Sequence, residues 1–164
     1  MDLASPKGVM APSRRRALRA GARTLGLFVL AGVLPEAQAQ AQLDAWAAAF
    51  DSRDFASAWR ALDGEGAAAD PRLRLDGPDV AENGALVPFT VSSTLPGVSQ
   101  VALLVEHNPI PLTAVFALAP GTEPFVATRL KMAESSTVHA LVRAQDGLFL
   151  ARREVRVIQG GCVA

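Results

Sequence analysis

The chain has one cysteine, Cys162, and two histidines in 164 residues, and each scarcity excludes something. A single thiol cannot close an intrachain disulfide, so no disulfide framework holds this protein. His107 and His139 fall on different expected elements, with no second thiol and no paired carboxylates nearby, which argues against a zinc centre and favours structural or solvent-exposed roles for both. No apolar run is long enough for a permanent membrane anchor, since a spanning helix needs roughly 20 such residues. There is no Walker-type phosphate loop, no dinucleotide fingerprint and no nucleophile elbow, so a hydrolase or oxidoreductase with its own active site is hard to assemble here. An excess of positive charge is missing too: 16 basic side chains balance 16 acidic ones.

What is present begins with the N-terminus. Lys7, Arg14, Arg15, Arg16, Arg19 and Arg23 precede an uncharged apolar run from Thr24 to Leu34, followed by Ala37-Gln38-Ala39. This is the layout of an export signal, with cleavage expected near Ala39. Ser13-Arg14-Arg15-Arg16-Ala17-Leu18-Arg19 resembles a twin-arginine signal, although Ala17 stands where phenylalanine is usual. The general secretory route is the alternative, and it too would end outside the cytoplasm; the twin-arginine route is expected to deliver the protein to the periplasm. Removing residues 1–39 leaves about 125 residues with a net charge of about −4, enough for one core. A mildly acidic domain is a poor ligand for nucleic acid or anionic lipid.

The remaining chain changes period once. Leu43 to Leu62 carries Leu43, Trp46, Phe50, Phe55, Trp59 and Leu62 at roughly helical spacing, interrupted at Ser52 to Asp54 by capping side chains. One interrupted helix or two short ones are expected, with both tryptophans packed on the domain. Residues 40–70 thus form a helical segment and linker, the linker running from Asp63-Gly64-Glu65-Gly66 to Asp70-Pro71. From 71 to 158 seven β-rich runs follow: Leu73 to Asp76, Leu86 to Ser92, Val98 to Glu106, Ala114 to Leu118, Phe125 to Met132, Thr137 to Ala144 and Leu148 to Ile158. Turn signals separate them, and the spacing predicts an immunoglobulin-like antiparallel β-sandwich. Asn108-Pro109-Ile110-Pro111 reads as a rigid loop, set first by turn geometry and second by partner contact.

Residues 159–164 then form a C-terminal arm. Gly160 and Gly161, with no side chain to anchor them, make Cys162 a thiol on a flexible stalk rather than a small buried hydrophobe. Four residues, Gln159 to Cys162, span roughly 13 to 14 Å when extended at about 3.3 to 3.6 Å each. With no cation adjacent, the thiol is expected to stay near or above the ordinary pKa of about 8.5, so a partner's active site must activate it.

Several strings follow in order: Val87-Pro88-Phe89-Thr90-Val91-Ser92-Ser93 with Leu95-Pro96-Gly97-Val98, then Glu106-His107-Asn108-Pro109-Ile110-Pro111-Leu112, Thr128-Arg129-Leu130-Lys131-Met132, and Arg153-Glu154-Val155 leading to Gly160-Gly161-Cys162. Together they resemble the SoxY family of the thiosulfate-oxidising Sox system. The resemblance implies a periplasmic carrier rather than an enzyme, without a cofactor of its own. It implies a heterodimer with a SoxZ-like sandwich. Cys162 would hold sulfur covalently, with Gly160 and Gly161 as the hinge. A haem-containing SoxAX-like enzyme would join thiosulfate to it, a SoxB-like enzyme would hydrolyse off sulfate, and a SoxCD-like enzyme, where present, would oxidise the remaining sulfur. Val163-Ala164 departs from the family's Gly-Gly and adds a stiff β-branched side chain to the arm. Two other readings stand beside this one: an exported structural module tethered through a Cys162 disulfide, and an enzyme with a site on the sandwich loops.

Overall fold

The computed structural model describes residues 38–158. Residues 1–37 of the expected export signal, and Gly160, Gly161 and Cys162, lie outside them. By contact the chain divides into two units, Met1–Gln42 and Leu43–Ala164.

Two helices lead. Helix α1 covers 38–51 and α2 covers Phe55–Ala61. The break falls at the capping residues: Asp54 is the N-cap of α2 and its carboxylate accepts from the Ser57 amide at 2.9 Å, satisfying a donor that has no partner within the helix. A short 3-10 turn, Gly64–Gly66, follows.

Among the described residues nine strands follow: β1 (Ala68–Ala69), β2 (Leu73–Asp76), β3 (Val80–Ala81), β4 (Val87–Ser93), β5 (Gln100–Val105), β6 (Leu112–Ala117), β7 (Phe125–Leu130), β8 (Ser136–Ala144) and β9 (Gly147–Val157). The seven longer ones coincide with the seven expected runs to within two residues at either end. The additional β1 and β3 have two residues each, too few to carry a period, and both pair parallel to β9. One sheet has the order β1-β9-β8-β5-β6, with β3 also on β9; the other is β2-β4-β7. The longer strands pair antiparallel throughout.

The main core lies between the sheets. Leu73, Leu75, Val87, Phe89, Val91, Val126 and Leu130 from one meet Val101, Leu103, Val105, Val138, Ala140, Val142 and Val155 from the other. They alternate along their strands because successive side chains point to opposite faces.

A second cluster covers the outer face of the larger sheet. Ala102, Leu104, Leu112 and Leu141 pack with Ala49, Ala58 and Leu62, flanked by Trp46, Phe55 and Trp59. Both tryptophans therefore sit against the domain, as their helical spacing predicts. β5 is buried at every position for the same reason. Its uncharged sequence suits a strand enclosed on both faces.

Candidate functional site

Cys162, Gly160 and Gly161 lie outside the described residues, and the nearest described element to them is the end of β9, where the expected arm would begin. β9 bonds β8 along one edge from Gly147 to Val155, and at its end β3 bonds the other edge, pairing Val80 with Arg156 and Ala81 with Val157. The Ile158 amide donates to the Ala81 carbonyl at 2.9 Å, and the Arg156 amide to the Asp79 carbonyl at 2.9 Å. The Val157 amide donates to the Ser135 hydroxyl oxygen at 2.9 Å. The last described residues are held on both sides, which makes a fixed root for the expected arm.

The neighbouring loops are tied to that root by polar side chains. Asn108 uses both ends of its amide: Nδ2 donates to the Lys131 carbonyl at 2.7 Å and Oδ1 accepts from the Ala133 amide at 2.9 Å. The Met132 amide in turn donates to the Gly84 carbonyl at 2.7 Å. The expected geometric role of Asn108-Pro109-Ile110-Pro111 is therefore fulfilled by Asn108, which couples the loop after β5 to the turn after β7.

A surface cleft of about 590 Å³ beside the root is lined by Asp79, Val80, His107, Ser135, Arg156 and their neighbours. Several of its polar groups have partners. His107 Nδ1 lies 3.1 Å from the Ser135 carbonyl, an acceptor, so Nδ1 carries the hydrogen. The Ser135 hydroxyl faces the Val157 backbone and Asp79 pairs with Arg153 at 2.8 Å. No nucleophile and base are within reach of each other here. Among the described residues no group of three or more histidine, cysteine or acidic side chains could hold a metal ion. No helix among them is long and apolar enough to cross a membrane.

The other histidine is buried on the outer face of the larger sheet. His139 Nε2 lies 3.3 Å from Glu106 Oε2, and the ring is 4.6 Å from Phe55 and 5.7 Å from Trp59, centroid to centroid. Loss of hydration holds its pKa below the ordinary 6.5; Glu106 opposes this and Arg152 adds to it. Its Nδ1 is buried without a hydrogen-bond partner, which suits the neutral ring with the hydrogen on Nε2, donating to the carboxylate. His139 is thus structural.

Three features of this region escaped the sequence reading. Ser135 and Asp79 hold the root from loops more than 20 residues from the end of β9, and no local pattern marks such pairings. Arg153 belongs to the β9 run expected to have one wet face. Arg152, Glu154 and Arg156 do face solvent, but Arg153 lies on the same face as Val155 and is half-buried against Asp79. An inward charge near a strand edge discourages further strand pairing there.

The described residues form a two-sheet sandwich with helices on the outer face of the larger sheet and a strand end held on both sides. The family described as sulfur oxidation protein SoxY matches residues 60–162. The solved sulfur carrier protein SoxY from Chlorobium limicola f thiosulfatophilum is similar at 31% identity and a TM-score of 0.52, covering 73% of this chain and 98% of that one. A superoxide reductase (neelaredoxin) from Ignicoccus hospitalis is similar at 23% identity and a TM-score of 0.48, over 52% of this chain and 80% of that one. Comparison with the curated proteins finds no match. The chain belongs to the SoxY family.

Proposed function

We propose that this SoxY-family protein is a sulfur carrier of the Sox sulfur oxidation system that holds thiosulfate-derived intermediates covalently on Cys162 and presents them to partner enzymes in the periplasm. The observation that carries the reading is the extent of the family match, which runs through Gly160 and Gly161 to Cys162. The fixed end of β9 supports it, because a tether delivers its cargo reproducibly only from a root that does not move. Thiosulfate and the Cys162 thiol would join by a new S–S bond with loss of one proton and two electrons, the electrons passing to a haem-containing SoxAX-like enzyme. A SoxB-like enzyme would then add water across the terminal S–S bond, releasing sulfate and leaving a persulfide for a SoxCD-like enzyme. Gly160 and Gly161 would keep the stalk narrow. Export by the twin-arginine route, with cleavage near Ala39, places the carrier in the same compartment.

The free edge of the larger sheet supports a SoxZ-like partner. Among the described residues β6 bonds only β5, and no charged side chain occurs from Asn108 to Thr122. An uncharged edge with unpaired backbone groups is a template for a strand from another chain.

The test is the intact mass of the protein recovered from cells oxidising thiosulfate. Additions in sulfur or thiosulfate increments, absent in Cys162→Ala, are expected. Recovery only as a reducible disulfide-linked species would favour the tethered structural module, and turnover by Cys162→Ala would favour an enzyme.

A further inference from the structure

The end of the sandwich from which the arm departs differs from the rest of its surface. Seven large apolar side chains are exposed among the described residues, and four stand around that end: Val80 at 46%, Leu86 at 68%, Ile110 at 40% and Ile158 at 50%. Their placement follows from the backbone. Ile158 bonds Ala81, next to Val80. Gly84, two residues before Leu86, bonds Met132 and lies close to Val157. Asn108, two residues before Ile110, is bonded on either side of Met132. Phe125, exposed to 56%, begins β7 and so lies at the opposite end.

We propose that Val80, Leu86, Ile110 and Ile158 form the docking surface for the enzymes that load and process the arm; this rests on the carrier reading above. The length of the chain beyond the root identifies the occupant. Four residues can carry a thiol at most roughly 13 to 14 Å from Ile158. An enzyme whose reacting atoms lie at the foot of a cleft can meet Cys162 only if the mouth of that cleft sits on this end of the sandwich. Any other docked surface leaves the thiol outside. The partner is therefore an enzyme with a narrow cleft no deeper than about 13 Å, its mouth rimmed by apolar side chains. Charge is not the attraction. Asp79, Glu82 and Glu134 are interspersed with Lys131, Arg153 and Arg156 near the root, and Asp79 is already taken by Arg153. Such a surface has no field of one sign to steer a partner. Contact through a few exposed apolar side chains also suits a carrier that several enzymes must grip and release in turn.

The experiment compares the rate at which Cys162 of the mature protein acquires its thiosulfate adduct, read by intact mass with a purified SoxAX-type enzyme, with its rate of alkylation by a maleimide. Leu86→Glu combined with Ile158→Glu should lower enzymatic loading at least tenfold and leave alkylation unchanged, whereas Phe125→Glu should leave both unchanged. Thermal unfolding confirms that each variant is folded. Loading within twofold of wild type in the arm-end variant, an equal loss in Phe125→Glu, or a steep fall in wild-type loading with added salt would overturn the proposal. A wild-type protein that is alkylated but never loaded would sink the carrier reading itself, and the docking surface with it.

Discussion

Substituting Gly84 by alanine tests how the arm root is held. A methyl group at Gly84 would lie 2.3 Å from the Met132 carbonyl oxygen and 3.1 Å from Val157 Cγ1. Gly84 needs no positive φ, so the cost is one of space alone. Relieving the contact requires the two backbones to separate by about 1 Å, which stretches the 2.7 Å bond from the Met132 amide to the Gly84 carbonyl beyond useful length. Met132 is buried at 3% exposure, so its orphaned amide costs about 1 to 3 kcal/mol. Overpacking against Val157 adds about 1 kcal/mol or more. The stiffer unfolded chain returns about 0.5 kcal/mol. A net loss of about 3 kcal/mol follows, or a fall in Tm of about 10 °C for a domain of this size. The assay is thermal unfolding of the mature protein beside Gly66→Ala, where an added methyl meets nothing within 4 Å and stability should hold or rise slightly. Equal Tm values for wild type and Gly84→Ala would refute the close approach and with it the account of how β9 ends.

Further outcomes follow from other elements. The His139 pKa is depressed in the folded state, so the unfolded chain binds more protons as pH falls through about 6.5; stability should therefore decline with acidification across that range. His139→Gln should flatten that part of a denaturant-midpoint profile against pH. Leu103→Ala, at a fully buried inward position of β5, should cost about 2 to 5 kcal/mol in urea unfolding without altering maleimide access to Cys162. Removing the N-cap with Asp54→Ala should cost about 1 kcal/mol and shift the fluorescence of Trp59, which α2 carries. Val115→Lys on the free edge strand β6 should weaken association with a SoxZ-like partner, measured by sedimentation, while thiol alkylation at Cys162 stays normal.

Much of this architecture is legible in order of residues because its causes are local. The longer strands stand where alternation meets turn signals, as in Val87-Pro88-Phe89-Thr90-Val91, whose odd-numbered members enter the core. Asp54 announces the start of α2 through its cap. Cys162, preceded by Gly160-Gly161, announces the candidate site through scarcity and position. Ser135 and Asp79 carried no such signal. Serine and aspartate are common in loops, and their bonds to β9 exist only because the sheet brings residues 22 and 74 positions apart into register. The same holds for His139 with Glu106, 33 residues apart, and for Arg153, which a polar strand pattern assigns to solvent.

By itself the amino-acid order determined periodicity, breaks, caps and the single thiol, since each depends on neighbours a few residues away and on side-chain chemistry that does not change with context. Tertiary structure alone decided that helices enclose β5 on its second face, that His139 is buried beneath them with its pKa lowered, and that β9 is clamped at its end. It also gathered Val80, Leu86, Ile110 and Ile158 at one end. These depend on which strands lie side by side, and that choice is made by the free energy of the whole buried core rather than by any segment of it.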